Sequence, residues 1–277
     1  MAELGKTQQL KVIKGDENVL ILDGGELGEL TLPIKELLEA DHSANKVEVF
    51  VYPDSADTVT ATTQQPKAEV GEFALLKVVT VNPYGAFLDW GMERDLLVPF
   101  SEQHHEMIEG RNYIVRLYFD ETAHRITATS RIDRYLDQEP PPFFEGERVN
   151  LLIGGQTDIG TKAIINNTHW GVLYTDEVFE GLEYGQKTKA YIKKIRDDDK
   201  IDLFLHKPGY GEVDALSRKI LDYLKAHDGS MEITDKSPPE VIHAKFGVSK
   251  KKFKMAVGGL YKKRLVTLEK NAIHLNS

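Results

Sequence analysis

GEFALLKVVTVNPYGAFLDWGMERDLLVPFSE (residues 71–102) and GERVNLLIGGQTDIGTKAIINNTHWGVLYTDE (residues 146–177) are two readings of one pattern. A shift of 75 residues, with no gap, superposes Pro66 on Pro141, Gly71-Glu72 on Gly146-Glu147, Gly85 on Gly160, Glu102 on Glu177, Gly110 on Gly185 and Ile126 on Ile201. Several matches are glycine, which tight turns and positive φ angles demand, so the repeat preserves a backbone path more than a set of side chains. A weaker copy lies upstream. LILDGGELGELTLPIKE (20–36) parallels AFLDWGMERDLLVPFSE (86–102), and TVTATT (58–63) parallels RITATS (125–130), at offsets of 66 and 67.

Within each copy, short runs alternate apolar with polar: Val47, Val49, Val51; Tyr113, Val115, Leu117; Ala190, Ile192. Period two, bounded by Gly, Pro, Asn or Asp, reads as half-buried strands. About five strands in 65 to 75 residues predict a small closed antiparallel barrel, three times over. The period then changes. Val213, Leu216, Ile220 and Leu224 fall at helical spacing, and Asp228-Gly229 ends that run. Ser237-Pro238-Pro239-Glu240 reads as an N-cap before helix-compatible prolines, with Gly247 ending a short helix at Phe246. Ser249 caps a longer helix through about Lys263, with Phe253, Ala256, Val257, Leu260 and Tyr261 on one face. Leu265–Leu268 and Ile273–Leu275 follow as a hairpin, completing the winged-helix order.

The expected architecture is therefore mainly β: barrels at 1–65, 66–140 and 141–209, then a small α+β winged-helix domain at 210–277. Composition agrees with folded, unexported material. Hydrophobic residues make up 41% and charged residues 29% of the 277, which excludes wholesale disorder. No apolar run is long enough to span a bilayer, the N-terminus lacks a secretory pattern, and zero cysteines fit a reducing cytoplasm. The formal charge of -9 hides a split: residues 210–277 carry 13 Lys and Arg against 8 Asp and Glu, and residues 1–209 carry 22 against 36. An acidic body bears a basic tail.

Glu69-Val70-Gly71-Glu72, Asn82-Pro83-Tyr84-Gly85-Ala86-Phe87-Leu88, Leu97-Val98-Pro99-Phe100-Ser101-Glu102 and Arg125-Ile126-Thr127-Ala128-Thr129, in that order, resemble the S1 RNA-binding domain, an OB-fold barrel. Three S1-like barrels before Phe246-Gly247-Val248-Ser249-Lys250-Lys251 and Leu260-Tyr261-Lys262 resemble the bacterial conserved virulence factor B family over nearly the whole chain. That resemblance implies single-stranded RNA lying across a barrel face and a regulatory role, virulence-associated in pathogens. It places Tyr84 and Phe87 at two stacking positions and Asp120 and Arg125 at a polar pair. Pro99 stands where many S1 domains have His. In the third barrel Ile159 and Lys162 replace the aromatics, Tyr174 matches Pro99, Lys200 matches Arg125, and Lys189, Lys193 and Lys194 add cations. In the first, Asn18 and Ile21 or Leu20 fill the aromatic places, and 5 basic residues face 12 acidic ones. Scaffolding or a protein contact is the expected role there.

The chemistry suits these residues, because a stacked base gains about 1 to 3 kcal/mol from an aromatic face while nearby cations hold phosphates. On the last helix Lys251, Lys254, Gly258 and Lys262 form a stripe opposite the apolar face, and Lys250 adjoins it. A duplex nucleic acid held by the winged helix is a further expected partner; a solvated lysine face is the plain alternative. Catalytic signals are weak. Gly154-Gly155-Gln156 is a three-residue match to peptide-release factors, Glu102, His104, His105 and Glu106 lack metalloprotease spacing, Asp197-Asp198-Asp199 suits a turn, and Ser249 with Lys252 lacks companion motifs. The expected protein is a binder with no cofactor, metal or membrane partner. Two rivals stand beside it: a DNA-binding regulator led by the winged helix, and a protein-interaction scaffold of the transcription or translation machinery.

Overall fold

A computed structural model describes residues 2–37, 45–55, 58–175, 181–205, 211–262 and 264–276, without the side chains of residues 55 and 211–215. Glu177 and Lys263, and the side chain of Val213, therefore lie outside the described residues. Eighteen strands and three α-helices are described, with short 3-10 turns between strands. The first barrel comprises β1 (Lys6–Gly15), β2 (Val19–Asp23), β3 (Glu29–Pro33), β4 (Lys46–Ser55) and β5 (Thr58–Thr62). The second comprises β6 (Phe73–Asn82), β7 (Gly85–Asp89), β8 (Leu96–Pro99), β9 (Asn112–Asp120) and β10 (Arg125–Thr129). The third comprises β11 (Arg148–Thr157), β12 (Gly160–Ile165), β13 (His169–Tyr174), β14 (Lys187–Ile195) and β15 (Ile201–Phe204). Each has five strands, with strand one paired to strands two and four. The third closes fully through a parallel β13–β15 pair; in the others the edges β3 and β5, and β8 and β10, lie side by side.

The sequence repeat is a repeat of hydrogen bonds. Gly71 N–H donates to Leu117 and Gly146 N–H to Ile192; Gly110 donates to Val78 and Gly185 to Ile153. All four glycines have positive φ. Gly5 donates to Val51 in the same way, one barrel upstream. The central strand carries a bulge at equivalent places, between Val12 and Lys14, Val78 and Thr80, and Ile153 and Gly155. Such bulges bend a strand enough for five of them to curl into a barrel. Gly85 and Gly160 have φ of 147° and 157°, and a Cβ at either would lie 2.3 or 2.2 Å from a carbonyl oxygen of the neighbouring strand. Glycine is thus required where β7 and β12 begin, whereas β2 begins with Val19.

Inter-barrel contacts are apolar and specific. Phe50 and Tyr52 of β4 pack with Trp90 of the second barrel, with Phe50 edge-on to Trp90 at 5.9 Å. Phe73, Ile114, Leu136, Leu152 and Ile164 form a buried cluster joining the second barrel, the connecting segment and the third barrel. The winged-helix domain follows: α1 (Gly211–Ala226), β16 (Ser230–Met231), α2 (Pro239–Phe246), α3 (Lys250–Lys262), β17 (Val266–Leu268) and β18 (Ile273–Leu275). Leu216, Ile220, Ile242, Phe253, Val257 and Leu260 share its core. Gly247 ends α2 in the left-handed conformation, and the Ser249 hydroxyl accepts the Lys252 N–H at the start of α3. Ser237 does not cap α2. Pro238 takes that place, where its ring offers no oxygen to accept an N–H of the first turn, and the Ser237 hydroxyl accepts the Thr234 N–H instead. Short β16 adds a third strand to the hairpin.

Candidate nucleic-acid interface

Tyr84 sits at the β6–β7 turn, where the Asn82 carboxamide oxygen accepts its N–H at 2.9 Å. Its side chain is 76% exposed, far beyond what a core tyrosine shows. Three residues on, Phe87 projects from β7 and is half-buried. Phe87 lines a cleft of about 790 Å³ together with Thr80, His124, Arg125 and Ile126 of the same barrel. Tyr84 stands outside that cleft, and Phe87 and Arg125 stand within it.

Asp120 and Arg125 pair across the β9–β10 hairpin. The Asp120 carboxylate accepts the N–H groups of Thr122 and Ala123 at 2.9 and 3.0 Å, so it fixes the turn that presents Arg125. Arg125 itself is exposed. Pro99 closes β8 opposite Gly85 and is half-buried against the turn that carries Tyr84. Those residues were legible from the sequence motif; the opposite wall of the cleft was not. It comes from the first barrel: Tyr52, Pro53 and Asp54 at the end of β4 line the same cleft as Phe87. Tyr52 stacks on Phe50 at 5.9 Å and 16°. Burial pushes its hydroxyl pKa up, and the carboxylates of Asp54, Glu36 and Glu93 add to the shift. Arg94 clasps the two barrels, pairing with the Asp54 carboxylate at 3.2 Å and donating to its carbonyl at 2.8 Å. Neighbouring Trp90 donates its indole N–H to the Arg94 carbonyl.

The third barrel presents a different face. Tyr174 lies opposite Gly160, as Pro99 lies opposite Gly85, but its hydroxyl is held by Asp202 at 3.1 Å and by Arg196. Lys200 is exposed and pairs with Asp198 at 2.7 Å, and that bond holds the Asp198 carboxyl below its ordinary range. Lys162, at the place of Phe87, lies 3.8 Å over the Trp170 ring and 3.5 Å from Asp133. Ring, cation and aspartate thus satisfy one another across that surface. Gly154-Gly155-Gln156 lies inside β11, with Trp170 packed onto Gly154. Among the described residues no group of three His, Asp or Glu side chains converges to hold a metal.

On α3, Lys251, Lys254 and Lys262 are exposed, while Lys250 is half-buried and reaches the Lys236 carbonyl at 3.4 Å. Gly258 lies among them, and a Cβ there would meet nothing within 4 Å. The helix is apolar on its inner face through Phe253, Ala256, Val257 and Leu260, whereas Tyr261, expected on that face, is exposed. No helix among the described residues is long and apolar enough to cross a membrane.

Comparison with known proteins gives the same two domain types. Residues 4–64 match the S1 domain, and residues 218–275 match the CvfB-like winged helix domain. Along its length the chain is similar to proteins named conserved virulence factor B: 24% identical to that of Staphylococcus saprophyticus, over 98% of this chain and 94% of that protein. It is 23% identical to that of Staphylococcus haemolyticus, with the same coverage. Among solved structures, a multidomain protein with nucleic acid binding domains from Streptococcus pneumoniae is 22% identical, covering 99% of this chain and 98% of that one, at a TM-score of 0.39. S1 and winged helix domains both point to nucleic-acid binding.

Proposed function

We propose that this chain, a homologue of the conserved virulence factor B proteins over nearly its whole length, is a cytoplasmic regulator of gene expression that binds single-stranded RNA without catalysing a reaction on it. The name of its relatives extends that role to virulence where the host cell is a pathogen. The observation carrying the reading is the convergence of Phe87 and Arg125 in one open cleft, beside an exposed Tyr84. An aromatic face and an unburied guanidinium suit an unpaired base and its phosphate, whereas a duplex keeps its bases stacked inside. In this reading Pro99 and Asp120 shape the turns that hold Tyr84 and Arg125, and Tyr174 and Lys200 offer a weaker contact on the third barrel. Residues 1–65 serve as scaffold to the unit at 66–140 and lend Tyr52 to the lining of its cleft.

Lys251, Lys254 and Lys262 on one exposed helix face favour a second contact, in which α3, steadied by Lys250, holds a duplex or a hairpin stem. The test is a fluorescence titration of the full chain with short single-stranded RNA, its duplex, and DNA of the same sequence. Tyr84→Ala/Phe87→Ala is expected to lose about 2 kcal/mol or more against single-stranded RNA, the value of two stacked bases. Equal affinity for single-stranded and duplex RNA, or unchanged affinity in the double variant, overturns the reading.

A further inference from the structure

Two grooves share the outer face of the third barrel, and neither includes Phe87 or Arg125. One, of about 720 Å³, follows the seam between the second and third barrels, floored by Phe73, Leu152 and Ile164 and rimmed by Asn150, Lys187 and Lys189. The other, of about 240 Å³, is bordered by Arg148, Gln186 and Tyr191. Thr188 and Lys189 line both, so the grooves adjoin. Strand pairing produces the alignment: antiparallel β11 and β14 set Arg148 opposite Tyr191, Asn150 opposite Lys189 and Leu152 opposite Lys187. Alternate residues share a face, and Val149, Leu151, Ala190 and Ile192 fill the barrel interior on the other side. The outward row thus interleaves three cations with a ring, an amide and an apolar floor.

Arg148, Lys187 and Lys189 are exposed, and among the described residues none of them forms an ion pair. Elsewhere on the same barrel Lys162, Arg196 and Lys200 are each paired to an aspartate. Among the described residues the seam is lined by one carboxylate, Glu72, which already accepts the Glu69 N–H. In a chain of net charge -9, three unneutralised cations in a row select an anionic occupant. A row that also offers a half-buried tyrosine and a carboxamide suits a polyanion whose charges alternate with flat, hydrogen-bonding rings.

We propose that the β11–β14 face and the seam beside it form a second track for single-stranded nucleic acid, with Arg148, Lys187 and Lys189 on phosphates and Tyr191 and Asn150 facing bases. The inference rests on the ligand class proposed above but on none of the residues of the Phe87 cleft. Two tracks on one chain bind one strand better than either alone, because occupancy of the first raises the effective concentration at the second.

Fluorescence anisotropy of the full chain with labelled single-stranded RNA of about 6 and about 25 nucleotides, sizes bracketing one barrel's site, tests it across a salt series. Lys187→Ala/Lys189→Ala is expected to weaken the longer RNA about tenfold and to make the slope of log Kd against log salt shallower by about 1.4, the loss of two phosphate contacts. Thermal melting stays unchanged, and Lys187→Arg/Lys189→Arg restores binding. In the Tyr84→Ala/Phe87→Ala background the residual binding disappears when the two lysines are replaced. Unchanged affinity and slope in Lys187→Ala/Lys189→Ala overturns the second track. So does poly-glutamate of equal charge competing as well as RNA, which makes the face a docking surface for acidic protein. If Tyr84→Ala/Phe87→Ala binds as wild type while the lysine variant fails, the Phe87 cleft is refuted and the second track stands.

Discussion

Phe87 and Arg125 lie in one cleft because a tight β6–β7 turn and an Asp120-fixed β9–β10 turn open on the same side of the second barrel. The first turn was legible in the sequence through Gly85, whereas Asp120 stood there only as one of a polar pair implied by the S1 resemblance, and its bonds to the Thr122 and Ala123 N–H groups show in the fold alone. Tyr52 was not legible. It stands in an alternating strand of the first barrel, where period alone marks it as one more strand residue, and only the packing of β4 against Trp90 brings it into the cleft that Phe87 lines. A base entering the cleft meets the Tyr52 ring as well as Phe87, so Tyr52→Ala should cost about 1 to 3 kcal/mol in single-stranded RNA affinity. Tyr52→Phe keeps the ring and the stack on Phe50, and should bind within about twofold of wild type. A titration of both variants, with melting curves as a folding control, checks the pair. Equal losses in the two would assign the effect to the hydroxyl.

At the level of elements, the strands were readable from their period and the turns from their glycines, whereas β16 was not: two residues carry no period. The Ser237 cap was misread because serine before two prolines matches the composition of an N-cap, while the bond that decides the matter runs to Thr234. Two elements carry predictions. Gly258 occupies the interior of α3, where glycine is less favourable than alanine by about 0.8 to 1 kcal/mol, and its missing Cβ faces open space. Gly258→Ala should therefore stabilise the chain by about 0.5 to 1 kcal/mol, measured as a higher urea midpoint. On β9, burial pushes the Tyr118 hydroxyl up to about 12, with the Glu102 and Asp120 carboxylates adding to the shift. The folded chain thus holds a proton that the unfolded chain releases near pH 10. This contribution is whole below that pH and is lost as the pH climbs through about 12. Tyr118→Phe should lose stability less steeply than wild type over that interval in urea titrations; parallel curves would show that Tyr118 has no part in it.

For the whole molecule, three barrels were readable from the offsets of 66 and 75, but their mutual packing was not. Phe73, Ile114, Leu152 and Ile164 look like ordinary strand residues, and Leu136 looks like part of a linker. Assembled, they form one buried cluster between the second and third barrels, in which Leu136 is 2% exposed. The chain's two tryptophans happen to report on the two junctions. Trp90 packs against Phe50 of the first barrel, and Trp170 adjoins the Leu136 cluster while donating its indole N–H to Asp133. Small barrels bury too little surface to be robust alone, so each junction should couple the unfolding of its neighbours. Truncating Leu136 to Ala removes core contacts and leaves a cavity, at a cost of about 2 to 5 kcal/mol. In single-tryptophan variants, Trp90→Phe and Trp170→Phe, the wild-type urea transitions should coincide. With Leu136→Ala added to each, the Trp170 transition should fall to lower urea and separate from the Trp90 transition, because Leu136 belongs to the cluster that ties the third barrel to the second and not to the one that holds Phe50. Transitions that shift together would mean that the barrels unfold as one body despite a damaged junction, and that the connecting segment contributes stability without setting cooperativity.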